Sequence, residues 1–278
     1  MASDLRKNYG GFMTRLNWIN PEDYTFDCML LMERFQIGII VGIPDPEYRR
    51  DLGIALKYNP KVAWYFAHRC PEAADDVSRL AAEAPECEQD EVRACEMRII
   101  GTVEDFVIYT TPQRMDTQCD FIYGWDKARL YELCDLADKL VLDVGSGSGR
   151  LAFAAAEKAK LVIASEPVDM LREYLRDEIR RRGISNMRVC DGLCDCLPFP
   201  DGTFDVVMSG HVVGDRFQEE VAELARVVKP GGWLLDCPGD QPRKTHPSKE
   251  LLEEGWEELS YTGSFGMTTY RYRKKVNP

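Results

Sequence analysis

The chain has 278 residues, 45% of them apolar and 29% charged, a composition that excludes collagen-like, low-complexity and largely disordered classes. Its 47 acids and 35 bases leave a net charge of -12, which repels a phosphate polyanion over most of the surface and argues against nucleic acid as a partner. The longest apolar run, 37–43, is too short to cross a bilayer, and no hydrophobic segment follows Asp4, Arg6 and Lys7, so neither a membrane span nor a secretory signal is expected. Ten cysteines in mostly apolar or helical contexts, outside the short disulfide-dense format of secreted modules, are expected to be reduced thiols of a cytoplasmic protein.

In chain order, Tyr9-Gly10-Gly11-Phe12-Met13 spells an opioid pentapeptide, which reads as chance in such a chain. Asn20-Pro21, Asp45-Pro46 and Asn59-Pro60 each set a capping side chain before a proline at the first helical position. Helices are therefore predicted from Pro21, Pro46 and Pro60, with another after Pro71. Segment 72–91 is acid-rich and reads as exposed helix and loop. Segment 97–110, rich in β-branched and aromatic residues, is predicted to be extended. The polar stretch 111–117 reads as a boundary between a mostly helical substrate or lid domain, 1–115, and a second domain, 116–278.

From about residue 118, short apolar runs at 140–144, 161–165, 187–190, 204–208 and 233–236 alternate with helical segments. In the helix predicted over 168–182, Met170, Leu171, Tyr174, Leu175 and Ile179 share one face, arginines fill the last turn and Gly183 can end it. Two final runs, 257–264 and 268–275, alternate like strands across Gly266. The pattern predicts an α/β fold: a seven-stranded, mostly parallel sheet with helices on both faces and an antiparallel last pair.

The chemistry-bearing motif is Leu140-Val141-Leu142-Asp143-Val144-Gly145-Ser146-Gly147-Ser148-Gly149-Arg150, a buried strand, a glycine turn and then a helix over 151–158. Such glycines admit a ligand close to the backbone and open a helix N-terminus to it. A dinucleotide is the first rival. It is opposed by Arg150, where its fingerprint needs glycine, and by Asp143, whose carboxylate would face a pyrophosphate. S-adenosylmethionine, with its ammonium and sulfonium, suits that carboxylate. Glu166 can accept from both ribose hydroxyls, Asp191 from the adenine amino group, and Leu193 can pack on the ring.

With these residues the chain resembles the class I S-adenosylmethionine-dependent methyltransferases over roughly 118–278. The likeness includes Leu197-Pro198-Phe199, Phe204-Asp205-Val206-Val207-Met208-Ser209 and Leu224-Ala225-Arg226-Val227-Val228-Lys229-Pro230-Gly231-Gly232. It implies a Rossmann-like sheet and a cofactor site at Asp143, Gly145, Ser146, Gly147, Gly149, Glu166, Pro167, Asp191, Gly192, Leu193 and Ser209. The segment Phe121-Ile122-Tyr123-Gly124-Trp125-Asp126 resembles the family's approach to the first strand. There Tyr123 and Trp125 either meet the sulfonium through cation–π contact or pack on the sheet edge. No metal is expected, because Ser209 stands where metal-dependent catechol-type members carry acids. No Asn-Pro-Pro-Tyr-like segment follows the fourth strand, and Cys237-Pro238 reverses the order of a cytosine C5 nucleophile.

The candidate general base is His211, just past the fourth strand, with helix capping or packing as its other reading. His68 and His246 are expected to be structural or exposed, and Asp215 to cap the helix after it. Cys190, Cys194 and Cys196 match no zinc spacing and are expected to pack in and after a strand rather than bind a soft metal or metalloid. The expected activity is methyl transfer to a small-molecule acceptor. Transfer to a protein side chain or to a metalloid or thiol, and a cofactor-binding accessory subunit without turnover, remain alternatives.

Overall fold

The computed structural model describes residues 17–214, 216–240, 246–263 and 266–277; the pentapeptide Tyr9-Gly10-Gly11-Phe12-Met13 and Asp215 lie outside them. The chain divides into two compact units, Met1–Thr111 and Pro112–Pro278. No helix among the described residues is long and apolar enough to cross a membrane.

In the first unit the helices are α1 (Arg34–Gly42), α2 (Pro46–Tyr58), α3 (Pro60–Arg69), α4 (Ala74–Glu83), α5 (Gln89–Thr102) and α6 (Glu104–Val107). Asp45 caps α2 as its spacing predicts: its Oδ1 accepts from the Tyr48 N–H at 2.8 Å, with Pro46 opening the helix. Phe26, Ile37, Leu52, Phe66 and Ile99 are among the buried residues of one shared core. Inside that unit the buried Asp51 accepts from Arg98 Nε at 2.5 Å and Nη2 at 2.9 Å, tying α2 to α5. His68 lies on α3, exposed and stacked on Trp64 with ring centroids 3.9 Å apart.

Two expectations are corrected here. Segment 97–110 is not extended: it forms the end of α5, then α6, then a 3-10 turn over Ile108–Thr110. Ile99, Ile100, Val103, Phe106 and Val107 are all buried at helical spacing, and burial on one side outweighs their β-propensity. Pro21 opens only a single 3-10 turn, Pro21–Asp23, because Tyr24 and Phe26 already turn into the core.

In the second unit, β1 (Leu140–Val144), β2 (Leu161–Ser165), β3 (Met187–Cys190), β4 (Phe204–Ser209), β5 (Val228–Asp236), β6 (Glu257–Thr262) and β7 (Thr268–Lys275) form a seven-stranded sheet of order β3-β2-β1-β4-β5-β7-β6. The first five strands run parallel, while β7 is antiparallel to both β5 and β6. The helices are α7 (Pro112–Gln118), α8 (Ala128–Tyr131), α9 (Arg150–Ala156), α10 (Asp169–Arg182), α11 (Phe217–Val227) and α12 (Lys249–Glu253). Strand alternation feeds two cores. Val141, Val162 and Val206 pack with Leu151 of α9 and Leu175 of α10. Leu142, Val144 and Val207 pack with Leu224 of α11 and Leu251 of α12. Helices therefore cover both faces, as the near-continuous apolar strands require. Adjacent β1 and β4 send their connections in opposite directions, which leaves a crevice at their C-terminal ends.

Candidate active site

The glycine turn lies in that crevice. Gly145 N–H and Ser146 N–H donate to Ser165 O at 2.8 and 3.2 Å, lashing the turn to the end of β2. Gly149 has φ +97°, and a Cβ there would stand 2.4 Å from the Phe153 ring and 2.7 Å from Leu175 Cδ2. Gly147, also left-handed at +55°, meets nothing nearer than Met115 Cε at 3.7 Å. One glycine thus lets α9 pack against α10, while the other leaves the turn open. Ser148 Oγ donates to Asp116 Oδ1 at 2.7 Å, and Tyr174 O–H donates to Asp116 Oδ2 at 2.9 Å. Asp116 therefore joins α7 to both the turn and α10. Its sequence context, a polar boundary, gave no sign of this.

Two acids meet at the turn. Asp143, at the end of β1, is 1% exposed, and its Oδ2 has no hydrogen-bond partner. Burial pushes its carboxyl up to about 7, opposed by the Ser146 hydroxyl and the Arg150 charge. Glu166, beyond β2, is 4% exposed. Its Oε2 accepts from the Gly147 N–H at 2.8 Å and its Oε1 from the Val168 N–H at 2.9 Å. Burial raises it to about 7 as well, against the pull of those two amides. Asp191, after β3, is exposed and takes Arg172 Nη1 at 3.2 Å, the same atom that donates to Glu166 O at 2.8 Å. Leu193 is a large apolar side chain left exposed beside it. Gly192 is shaped by contact, since a Cβ there would stand 2.4 Å from Ser165 Oγ. Pro167 follows Glu166 and leads into α10.

At the end of β4, Ser209 is fully buried, and its Oγ reaches Asp236 Oδ1 at 3.5 Å. His211 is exposed with φ +68°, a left-handed backbone that histidine adopts more readily than bulkier residues. Its ring lies 4.4 Å from that of Phe121. Trp125 faces Arg150, whose guanidinium carbon stands 4.5 Å from the indole, and Tyr123 is exposed. His246 is exposed. All ten cysteines are free thiols. Cys190 and Cys194 are partly buried, their thiols pushed up by burial, and Cys196 is exposed. No group of side chains suited to a metal ion occurs among the described residues.

Residues 142–236, from β1 to the end of β5, match the family described as methyltransferase domain. The matched segment lies wholly within the C-terminal unit, whose seven-stranded, mostly parallel sheet is the fold that the resemblance to class I methyltransferases implies. The protein named uncharacterized methyltransferase YcgJ of Bacillus subtilis is 31% identical over 102 residues, 36% of this chain and 40% of that protein. The ubiquinone/menaquinone biosynthesis C-methyltransferase UbiE of Marinomonas is 26% identical over 167 residues, 56% of this chain and 64% of that protein. A solved methyltransferase of Aquifex aeolicus is 18% identical, covering 60% of this chain and 98% of that one, with TM-score 0.48. The chain spans about half the length of the curated relatives it matches. Within the C-terminal unit, sequence reasoning missed Asp116 and treated Arg150 only as a missing glycine.

Proposed function

We propose that the protein transfers a methyl group from S-adenosylmethionine to a small-molecule acceptor. The observation that carries this reading is the buried, unpartnered Oδ2 of Asp143, set at a turn whose Gly147 leaves room for a ligand. A positively charged ligand end is what such an oxygen lacks. The residues present fit the cofactor. Glu166 would hold the ribose hydroxyls with the lone pairs its two amide contacts leave free, Asp191 the adenine amino group, and Leu193 the face of the ring. Gly145, Ser146, Gly147 and Gly149 would line the methionine side, with Pro167, Gly192 and Ser209 closing the walls and Tyr123 covering them. The bound cofactor supplies a methyl group already activated by its sulfonium.

What remains for the chain is alignment and exclusion of water, which displacement at an activated carbon rewards. His211, exposed at the end of β4, is placed to take a proton from the acceptor. The names of the relatives, ubiquinone/menaquinone biosynthesis C-methyltransferases, support a small-molecule acceptor for this chain as well.

Two measurements test the reading. Calorimetry should find S-adenosylmethionine bound and NADH not bound; tight NADH binding alone would remove the proposal. Glu166→Ala should then weaken cofactor binding by about 1.5 to 3 kcal/mol for each charge-assisted hydrogen bond lost. Unchanged affinity would put the ribose elsewhere. For His211, His211→Gln should lower kcat while leaving S-adenosylhomocysteine affinity nearly intact. If stability and cofactor binding fall together, the histidine is a packing residue.

A further inference from the structure

We propose that Arg150 anchors the anionic end of the acceptor, which is therefore a planar carboxylate. This rests on the methyl-transfer reading above and names the acceptor's chemical class. Arg150 is the first residue of α9, and its guanidinium reaches past the ends of β4 and β5, where Nη2 donates to Cys237 O at 2.7 Å. Two glycines make room for it. A Cβ on Gly210, just after β4, would stand 2.7 Å from Nη2, and one on Gly239, just after β5, would stand 3.1 Å from Nη1. Aromatic rings line it: Trp125 at 4.5 Å and Phe121 at 6.0 Å, with the Phe121 ring in turn 4.4 Å from His211.

The guanidinium is nevertheless not fully satisfied among the described residues. Nη1 is buried without a hydrogen-bond partner, and Arg150 forms no ion pair among the described residues. Asp143 feels its charge, yet the Asp143 Oδ2 also lacks a partner, so the two are not bonded through those atoms. The neighbouring Cys237 thiol is pushed up to about 11 by burial and stays neutral. A guanidinium with a buried, unsatisfied N–H is costly, and the fold provides two glycines and two aromatic rings to hold this one in place. The partner that fits a planar guanidinium beside aromatic rings is a planar carboxylate, whose two oxygens match the guanidinium fork. His211, its ring 4.4 Å from that of Phe121, is then placed to serve the nucleophilic end of the same molecule. The Phe121 oxygen would stand 2.5 Å from a Cβ on Gly239, so the 119–125 turn covers the guanidinium and an entering carboxylate displaces it.

Titration calorimetry on protein saturated with S-adenosylhomocysteine tests this with benzoate and its neutral counterpart benzamide. Benzoate should bind and benzamide should not. Arg150→Met should weaken benzoate by roughly tenfold or more, the scale of one charge-assisted hydrogen bond, and leave S-adenosylhomocysteine affinity within about twofold. Arg150→Lys, which keeps the charge and loses the fork, should fall between, and it carries the test if the methionine variant does not fold. Absence of benzoate binding, equal binding of benzamide, or benzoate affinity indifferent to both variants overturns the proposal. So does a loss of S-adenosylhomocysteine affinity in Arg150→Met, which would give the guanidinium to the cofactor's own carboxylate. If wild type binds no S-adenosylhomocysteine, the methyl-transfer reading fails instead, and benzoate titrated into the protein alone still reads Arg150.

Discussion

Asp143→Asn should raise the melting temperature of the protein without cofactor while removing most of its affinity for S-adenosylmethionine. The Asp143 carboxyl is buried with one oxygen unpartnered, and burial raises it from 3.8 to about 7. Between those two values the folded chain keeps a proton that the unfolded chain releases, so Asp143 costs no stability below about pH 4, and its penalty grows as pH rises toward 7 and levels off above it. At about 1.4 kcal/mol per pH unit, the cost above pH 7 is on the order of 4 kcal/mol, and asparagine does not pay it. Glu166, raised to about 7 by burial, adds to the same slope. A cationic ligand favours the ionised acid and reverses the effect. The melting-temperature gain from S-adenosylmethionine should therefore be larger at pH 8 than at pH 6. Thermal melts of both proteins across that range check this, and a destabilised Asp143→Asn that still binds cofactor would contradict it.

Gly149→Ala and Gly147→Ala should separate stability from binding although two positions apart. At Gly149 the new methyl meets Phe153 at 2.4 Å and the buried Leu175 at 2.7 Å, on a backbone at φ +97°. Backbone strain of about 1–3 kcal/mol and overpacking of about 1–3 kcal/mol together remove much of a typical domain's stability. At Gly147 the nearest atom is 3.7 Å away, so alanine bears only the strain of φ +55°. That methyl fills the space proposed for the cofactor. Denaturant melts should show the larger loss at Gly149, and calorimetry should show the larger loss of cofactor affinity, relative to stability, at Gly147. The opposite pattern would mean that the turn is not a ligand cradle.

Much of the C-terminal unit is legible because its signals are local. Short β-branched runs mark β1 to β4 within a residue, and the glycine spacing marks the turn. Segment 97–110 misled because Ile99, Ile100, Val103, Phe106 and Val107 satisfy both strand propensity and helical spacing, and only burial on one side decides between them. Asp116 and Arg150 were illegible for a different reason. Their hydrogen-bond partners, Ser148 and Tyr174 for one and Cys237 for the other, lie 32, 58 and 87 residues away along the chain, and no window of sequence joins them.

The sheet order also bears on how the protein is made. The last strand in sequence, β7, lies inside the sheet between β5 and β6, while β6, synthesised before it, occupies the rim. Until residues 268–275 leave the ribosome, β5 presents the backbone groups of Trp233, Leu234, Leu235 and Asp236 unpaired and β6 has no neighbour to join. The nascent chain thus carries an open, largely apolar strand edge from the emergence of β5 until β7 has left the ribosome, the interval in which edge-to-edge association between nascent chains competes with closure of the sheet.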